Sequence, residues 1–392
     1  MGGLARYLLL FVALFLGWGV LSPFLSPVLV ARGASTSEVG LLLGAGVAVR
    51  LVAMPLAGAL ADRLGAPRQV LAAALVAAAL CGLGYGLVAG FGALLLVGIA
   101  HALATGPVGP LPDALAVRAA AQGPPGRRFD YGVVRGAGAA AFIAGSSAAG
   151  LAVGMAESPL VVLWLNAGLF GLAAVAALLL PAPPPGGAAP PRPPHAPGAV
   201  AELLRNPAFR RLLLVSGLVQ GSHAFYTGYA VLGWQAAGIA PGTIGLLWSL
   251  SVAAEVVVFF LLGRPLLARL GPGGTCALAG AAGLLRWSAM ALDTSAWTMA
   301  LVQPLHGLTF AAQHMAAMAV LVQVVPARLA ATAQSLHASL GPGLATAALT
   351  LASGQLHGWF GPGGFWAMAA LCAVALPLAP ALGRGAAGAA SR

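Results

Sequence analysis

The chain has 392 residues, of which 60% are hydrophobic and 7% charged, against about 25% charged in an ordinary soluble domain. So few charges cannot cover a globular surface of this size, which excludes a water-soluble fold and makes lipid the expected solvent. The net charge of +11 comes with 19 basic residues, every one an arginine. In so apolar a chain these mark membrane topology, and no nucleic-acid partner is expected.

Crossing about 30 Å of hydrocarbon at 1.5 Å per residue takes about 20 apolar residues. Twelve runs meet that length: 6–30, 37–61, 69–89, 92–117, 130–154, 158–180, 208–236, 242–264, 272–292, 296–323, 328–352 and 360–382. Met1 to Arg6 leads straight into the first run without a small-residue cleavage site, so a retained first span is expected. The longest interruption is Pro181 to Asn206, with PAPPPGGAAPPRPPHAPG, where repeated proline forbids a helix. It divides the chain into an N-terminal six-helix bundle (1–180), a Pro-rich linker (181–206) and a C-terminal six-helix bundle (207–392). The predicted fold class is thus an all-α polytopic membrane protein of twelve transmembrane helices in two halves.

Positive side chains in short loops stay cytoplasmic. Arg6, Arg63, Arg68, Arg118, Arg127, Arg128, Arg192, Arg205, Arg210, Arg211, Arg264, Arg269, Arg328, Arg384 and Arg392 all fall on one side of the twelve-span arrangement, and Arg32 falls on the other. Both termini and the linker are therefore expected in the cytoplasm. Cys81, Cys276 and Cys372 each sit in an apolar run without CxxC or CxxH spacing, which indicates neither a disulfide framework nor a metal site. No nucleophile-and-base constellation or Walker motif points to an enzyme.

The loop after the second span reads GALADRLGAPR. Gly58, Asp62, Arg63, Gly65 and Arg68 resemble the signature of the major facilitator superfamily between its second and third helices, with Pro67 a departure. Gly58 would allow close helix approach, and Asp62 and Arg63 can pair across the cytoplasmic face and bias the rocking of the halves. GxxxG spacings at Gly40/Gly44, Gly82/Gly86, Gly150/Gly154 and Gly217/Gly221 suit tight helix packing. A closer resemblance runs through VGLLLGAGVAVR (39–50), GPLPDALA (109–116), DYGVVRGAGAAAF (130–142), QGSHAFYTGYAVLGWQAAG (220–238), IGLLWSLSVAAEVVVF (244–259), LRWSAM (285–290) and LHGLTFAAQHMAAM (305–318). These resemble the 3-phenylpropionic acid transporter family, related to the sugar:proton symporters. The resemblance implies a bacterial inner-membrane permease that takes up a small aromatic carboxylate with protons.

An ionised side chain near mid-bilayer costs at least about 2.5–3.5 kcal/mol, so it faces a partner or a wet cavity. Arg50, Glu255 and Arg286 are such residues, each flanked by apolar neighbours. Glu255 suits proton binding, because an apolar setting favours its neutral form; Arg50 and Arg286 suit a substrate carboxylate through bidentate geometry. The alternative is a fixed ion pair of Glu255 with one of these arginines. Depth along the normal sets Glu255 and Arg286 about 10 Å apart, which argues for a bridging group between them.

The likeness to sugar:proton symporters implies that Glu255, Arg286 and His306 are the acid, arginine and histidine of helices eight, nine and ten. Thr309 stands where those symporters carry a further acid, which leaves Glu255 as the main proton carrier. Gln303, His306, Phe310 and Gln313 recur on one face of the tenth span with His314 beside them, and Gln220, His223 and Thr227 repeat the pattern on the seventh. In the first half, Asp130 and Arg135 open the fifth span; Arg135 matches the symporters' substrate-binding arginine or serves as a topological anchor. His101 and Asp113 lie on the fourth span among Pro107, Pro110 and Pro112, and Asp113 is placed to neutralise Arg135 or Arg118. Trp164, Trp234, Trp297, Trp359 and Trp366 lie near span ends, as an aromatic belt would. Trp18, Trp248 and Trp287 are deeper, and Trp18 or Trp248 would suit a phenyl ring by stacking.

The function expected is proton-coupled import of a small aromatic carboxylate by alternating access. The alternatives are a nucleoside or sugar symporter, an exporter of drugs or metabolites, and a non-transporting membrane sensor or scaffold. The partners expected are an organic anion, protons and the lipid bilayer, with the chain a monomer. No cofactor is expected beyond the proton gradient as energy source.

Overall fold

The computed structural model describes residues 3–122, 129–181 and 198–382. Most of the linker, and Arg127, Arg128, Arg192, Arg384 and Arg392 of the topology argument, lie outside the described residues. Among those described there are helices and turns and no strands.

Apolar helices form wherever proline does not interrupt them. The first predicted run is broken at Ser22–Phe24, giving α1 (Gly3–Leu21) and α2 (Leu25–Ala31), because Pro23 has no N–H to continue the ladder. In α3 (Thr36–Leu64), a capping box fixes the start: Ser35 accepts from the Glu38 amide and the Glu38 carboxylate accepts from the Ser35 amide at 2.8 Å. Gly65, at φ 59°, closes the helix in the left-handed region. Then come α4 (Pro67–Leu87), α5 (Phe91–Thr105), α6 (Pro110–Gln122), α7 (Tyr131–Ala156) and α8 (Val161–Leu178).

The end of the predicted linker is itself helical as α9 (Ala199–Arg205). The seventh run is split at Ser222 into α10 (Pro207–Gly221) and α11 (His223–Ala236). α12 (Pro241–Val257) passes through a π-helical turn, Val258–Leu262, into α13 (Gly263–Leu292), which is broken where Gly271 takes φ 65° ahead of Pro272. After α14 (Ala296–Val302) a second π turn, Gly307–Ala312, leads into α15 (Gln313–Val324). A third, Ser339–Gly343, joins α16 (Ala330–Ala338) to α17 (Leu344–Phe360), and α18 (Phe365–Ala375) follows.

Nine stretches among the described residues are long and apolar enough to cross a membrane, of which two run to 52 and 49 residues. A single crossing needs about 20 residues, so each of these two holds a pair of crossings divided at its break. Together with the split α10–α11 span, the lengths accommodate the twelve crossings expected.

By packing, the chain divides into two compact units: Met1–Arg192 with Ile239–Ser249, and Pro193–Gly238 with Leu250–Arg392. The first is centred on Leu10, Phe11, Leu14, Leu71, Leu75 and Phe170, and the second on Phe209, Leu212, Val215, Cys276 and Val320. In lipid, helices associate by close packing and interhelical hydrogen bonds. Accordingly α1 and α7 meet main chain to main chain, where a β-carbon on Gly19 would strike the Phe142 carbonyl and one on Gly145 the Leu16 carbonyl. Asn166, fully buried on α8, donates to the Gly17 carbonyl at 2.9 Å. Of the GxxxG glycines, Gly82, Gly86, Gly150, Gly217 and Gly221 all face close neighbours. Gly58 does not: a β-carbon there would meet nothing within 4 Å, so it makes no close helix approach.

Candidate functional site

Within the second unit, Glu255, Arg286 and His306 form one connected chain. Glu255 Oε1 lies 2.7 Å from His306 Nε2, and Arg286 lies 2.7 Å from His306 Nδ1. A guanidinium can only donate, so Nδ1 must accept and the ring proton sits on Nε2, from which it donates to Glu255. The gap inferred from depth between Glu255 and Arg286 is therefore filled by an imidazole.

The same approach depends on Gly307. A β-carbon there would stand 2.5 Å from the Ala254 carbonyl oxygen and 2.9 Å from Val258 Cγ2. With no side chain on residue 307, the backbone after His306 lies against the turn of α12 that carries Glu255. Both contacting stretches run directly into π turns, a distortion frequent at functional sites.

Arg286 is wholly buried and heavily committed. Besides His306 it donates to Gln303 Oε1 at 2.8 Å, and its guanidinium lies 4.6 Å from the Tyr226 ring centre and 4.5 Å from that of Trp287. Gln303 in turn donates to the Tyr226 hydroxyl at 2.7 Å. Two acceptors and two aromatic faces compensate a charge that hydrocarbon would reject. In this arrangement two guanidinium nitrogens of Arg286 serve His306 and Gln303, while its Nε is buried without a hydrogen-bond partner.

His223 adjoins this chain, with its ring centre 4.9 Å from that of His306 and its Nε2 2.9 Å from Thr309 Oγ1. Gln220 is buried on the preceding turn, and its main-chain carbonyl lies 3.1 Å from His223 Nδ1. Gln313 departs from the face that His306 presents: it donates to Ser216 at 3.4 Å, beside His337, whose Nε2 is 2.9 Å from the same hydroxyl. His314 is exposed, with its ring 6.2 Å from that of Phe259. The π turn between His306 and Gln313 adds a residue, which puts the predicted stripe out of phase.

In the first unit, Arg50 on α3 lies within electrostatic range of Tyr85 on α4 and His101 on α5. The Tyr85 and His101 rings meet edge to face at 5.6 Å. Asp130 caps α7 by accepting from the Gly132 amide at 2.7 Å. Asp113 accepts from the Tyr131 hydroxyl at 2.8 Å. Arg135 lies over the Phe15 ring at 4.6 Å, where the quadrupole attracts the cation. Trp248 is buried in this unit, and Trp18 packs edge-on against Phe15 at 5.2 Å.

Of the loop motif, Asp62 and Arg63 are exposed and form no ion pair with each other. Arg68 donates to the Leu180 carbonyl at the end of the sixth span. Trp164, Trp297, Trp359 and Trp366 are exposed, as belt residues should be, whereas Trp234 is buried against Tyr226 with ring centres 6.0 Å apart. Sequence reasoning missed Gly307, Tyr85, Ser216 and His337. Only the spacing of Gly307 directly after His306 offered any signal, and in a chain with 55 glycines it did not stand out.

Residues 4–368 match the model of the MFS_1 like family. The chain is 32% identical over 373 residues to the probable 3-phenylpropionic acid transporter of Escherichia coli (strain K12), covering 93% of this chain and 94% of that one. It is 27% identical over 360 residues to the maltose permease of Geobacillus stearothermophilus, covering 89% and 86%. Among solved structures, the nucleoside transporter NupG aligns with a TM-score of 0.83 at 18% identity, covering 97% of this chain and 98% of that one. The D-xylose-proton symporter aligns at 0.66 and 16%, covering 95% and 96%. At these identities the structural likeness is one of fold. With the family matched over nearly the whole chain, the protein belongs to the MFS_1 like family and is a multi-pass membrane transporter of the major facilitator superfamily, not an enzyme.

Proposed function

We propose that the protein imports a small aromatic carboxylate, of the kind exemplified by 3-phenylpropionate, together with protons, through alternating access of a site near the midplane. The observation that carries the proton coupling is the chain Arg286–His306–Glu255. Because Arg286 occupies the lone pair on His306 Nδ1, the imidazole cannot take a proton without leaving Arg286. Proton binding then falls to Glu255, the carboxyl among these three residues. The substrate class is supported by the 32% identity to a probable 3-phenylpropionic acid transporter along almost the whole of both chains. The expected setting is a bacterial inner membrane, with both termini cytoplasmic and the protein a monomer.

The test is uptake of labelled 3-phenylpropionate into proteoliposomes under an imposed inward proton gradient. Wild type should accumulate the acid, and Glu255→Gln should lose the stimulation by the gradient while retaining exchange of labelled for unlabelled acid. Unaltered gradient-driven uptake in the variant removes Glu255 from coupling. The 27% identity to a maltose permease favours sugar symport as the second reading; inhibition by maltose or nucleosides and not by aromatic acids would select a neutral substrate.

A further inference from the structure

Arg286 is wholly buried and bonded to His306 and Gln303. Arg50, the arginine within the second span, is placed differently. It lies halfway along α3 and is exposed, and it forms neither an ion pair nor a hydrogen bond among the described residues. A guanidinium at this depth does not face hydrocarbon, so it lies against a wet space.

The surroundings of Arg50 are equally unspent. α3 packs on α5 around Gly46, where a β-carbon would stand 3.8 Å from the Arg50 guanidinium and 3.9 Å from Ala102 Cβ. That places the guanidinium beside the turn of α5 that carries His101. The His101 side chain is 6% exposed, and its Nε2 is buried without a hydrogen-bond partner. Tyr85, in edge-to-face contact with His101, makes no hydrogen bond through its hydroxyl among the described residues. A buried polar atom left unmatched costs about 1–3 kcal/mol, and here one stands beside an unpaired cation and an idle phenol on three neighbouring helices.

We propose that Arg50, Tyr85 and His101 form a subsite for the carboxylate of the transported acid. One carboxylate has two oxygens and about four acceptor sites. It can take a bidentate pair of N–H bonds from Arg50 and single bonds from the Tyr85 hydroxyl and the His101 Nε2–H. The single positive charge matches a monocarboxylate, while a neutral sugar would leave the guanidinium uncompensated. The inference rests on the reading of the substrate as an organic acid.

The experiment compares binding of 3-phenylpropionate with that of its neutral analogue 3-phenylpropionamide, by calorimetry on the purified full chain in nanodiscs. Wild type should prefer the acid. Arg50→Gln should weaken acid binding at least tenfold, about 1.4 kcal/mol, with amide binding unchanged, so that the preference disappears. Tyr85→Phe, a conservative change that keeps the ring contact with His101, should weaken the acid severalfold and spare the amide. Should Arg50→Gln fail to fold, Tyr85→Phe and Arg50→Lys carry the test, the latter retaining the charge and part of the preference. Full acid preference in Arg50→Gln, or in Tyr85→Phe where that is the folded variant, overturns the subsite while leaving the organic-acid reading intact. A wild type that binds neither 3-phenylpropionate nor benzoate overturns both.

Discussion

His223 Nε2 stands 2.9 Å from Thr309 Oγ1, and the Gln220 carbonyl 3.1 Å from Nδ1 determines which of the two is the donor. A carbonyl only accepts, so a neutral ring carries its proton on Nδ1 and receives the Thr309 hydroxyl at Nε2. That hydroxyl has one proton and a second acceptor in reach, the His306 carbonyl at 3.2 Å. Thr309→Val keeps the shape and removes the bond. It should lower stability by about 0.6 kcal/mol, and by no more than about 1.7, the range found for hydrogen bonds between membrane helices. Reversible unfolding in mixed micelles reads the difference, and an unchanged midpoint would show that His223 finds an equal partner elsewhere.

Gly307→Ala tests the approach that joins His306 to Glu255. The added methyl meets a main-chain carbonyl, which has no rotamer to yield. Overpacking of this kind costs about 1–3 kcal/mol, and the strain is relieved by parting the two helices. The variant should fold with reduced stability and lose most gradient-driven uptake. Full coupling in Gly307→Ala would mean that the contact between Glu255 and His306 is dispensable.

Arg286→Lys should be nearly as harmful as Arg286→Gln. An ammonium retains the charge but has neither the planar fork that serves His306 and Gln303 together nor the flat faces that lie against Tyr226 and Trp287. Uptake rates for the two variants, compared with wild type at equal protein, decide it. Near-normal transport by Arg286→Lys would reduce the role of this residue to charge alone.

The turn between α13 and α14 supplies a pH dependence outside the spans. The Asp293 carboxylate accepts from the Thr298 hydroxyl and from the amide and hydroxyl of Ser295. Those bonds, that from Thr298 first, hold its pKa below the ordinary value. A group depressed on folding contributes stability that is complete above its unfolded pKa, about 3.9, and is lost as pH falls through the folded value. Melting temperatures between pH 6 and pH 3 should therefore fall more steeply for wild type than for Asp293→Asn. Parallel curves would show that the turn gains nothing from the charge.

Much of the fold was legible because lipid imposes one coarse rule, length of apolar run, and the Pro-rich interruption stood out against it. The charged residues were legible for the same reason, since Arg50, Glu255 and Arg286 violate that rule. Their partners were not. Arg286 and Glu255 look equally exposed to function in sequence, and only the position of His306 between them turns one into a buried donor and the other into the acceptor of the His306 proton. Trp234 reads as a belt residue by its distance from a span end, yet it is buried, with its ring beside that of Tyr226 two turns earlier on the same helix. Gln313 was assigned to the face of His306 by a 3.6-residue period that the intervening π turn interrupts.

That turn also limits how the chain can change over evolutionary time. Each residue rotates an α-helix by about 100°, so losing one from Gly307–Ala312 would restore a regular helix and swing Gln313 and all that follows round by that angle. The same holds for Val258–Leu262 ahead of α13. Descendants of this sequence can exchange side chains in these two turns, but a single-residue deletion in either would need a compensating insertion nearby to keep the second unit packed.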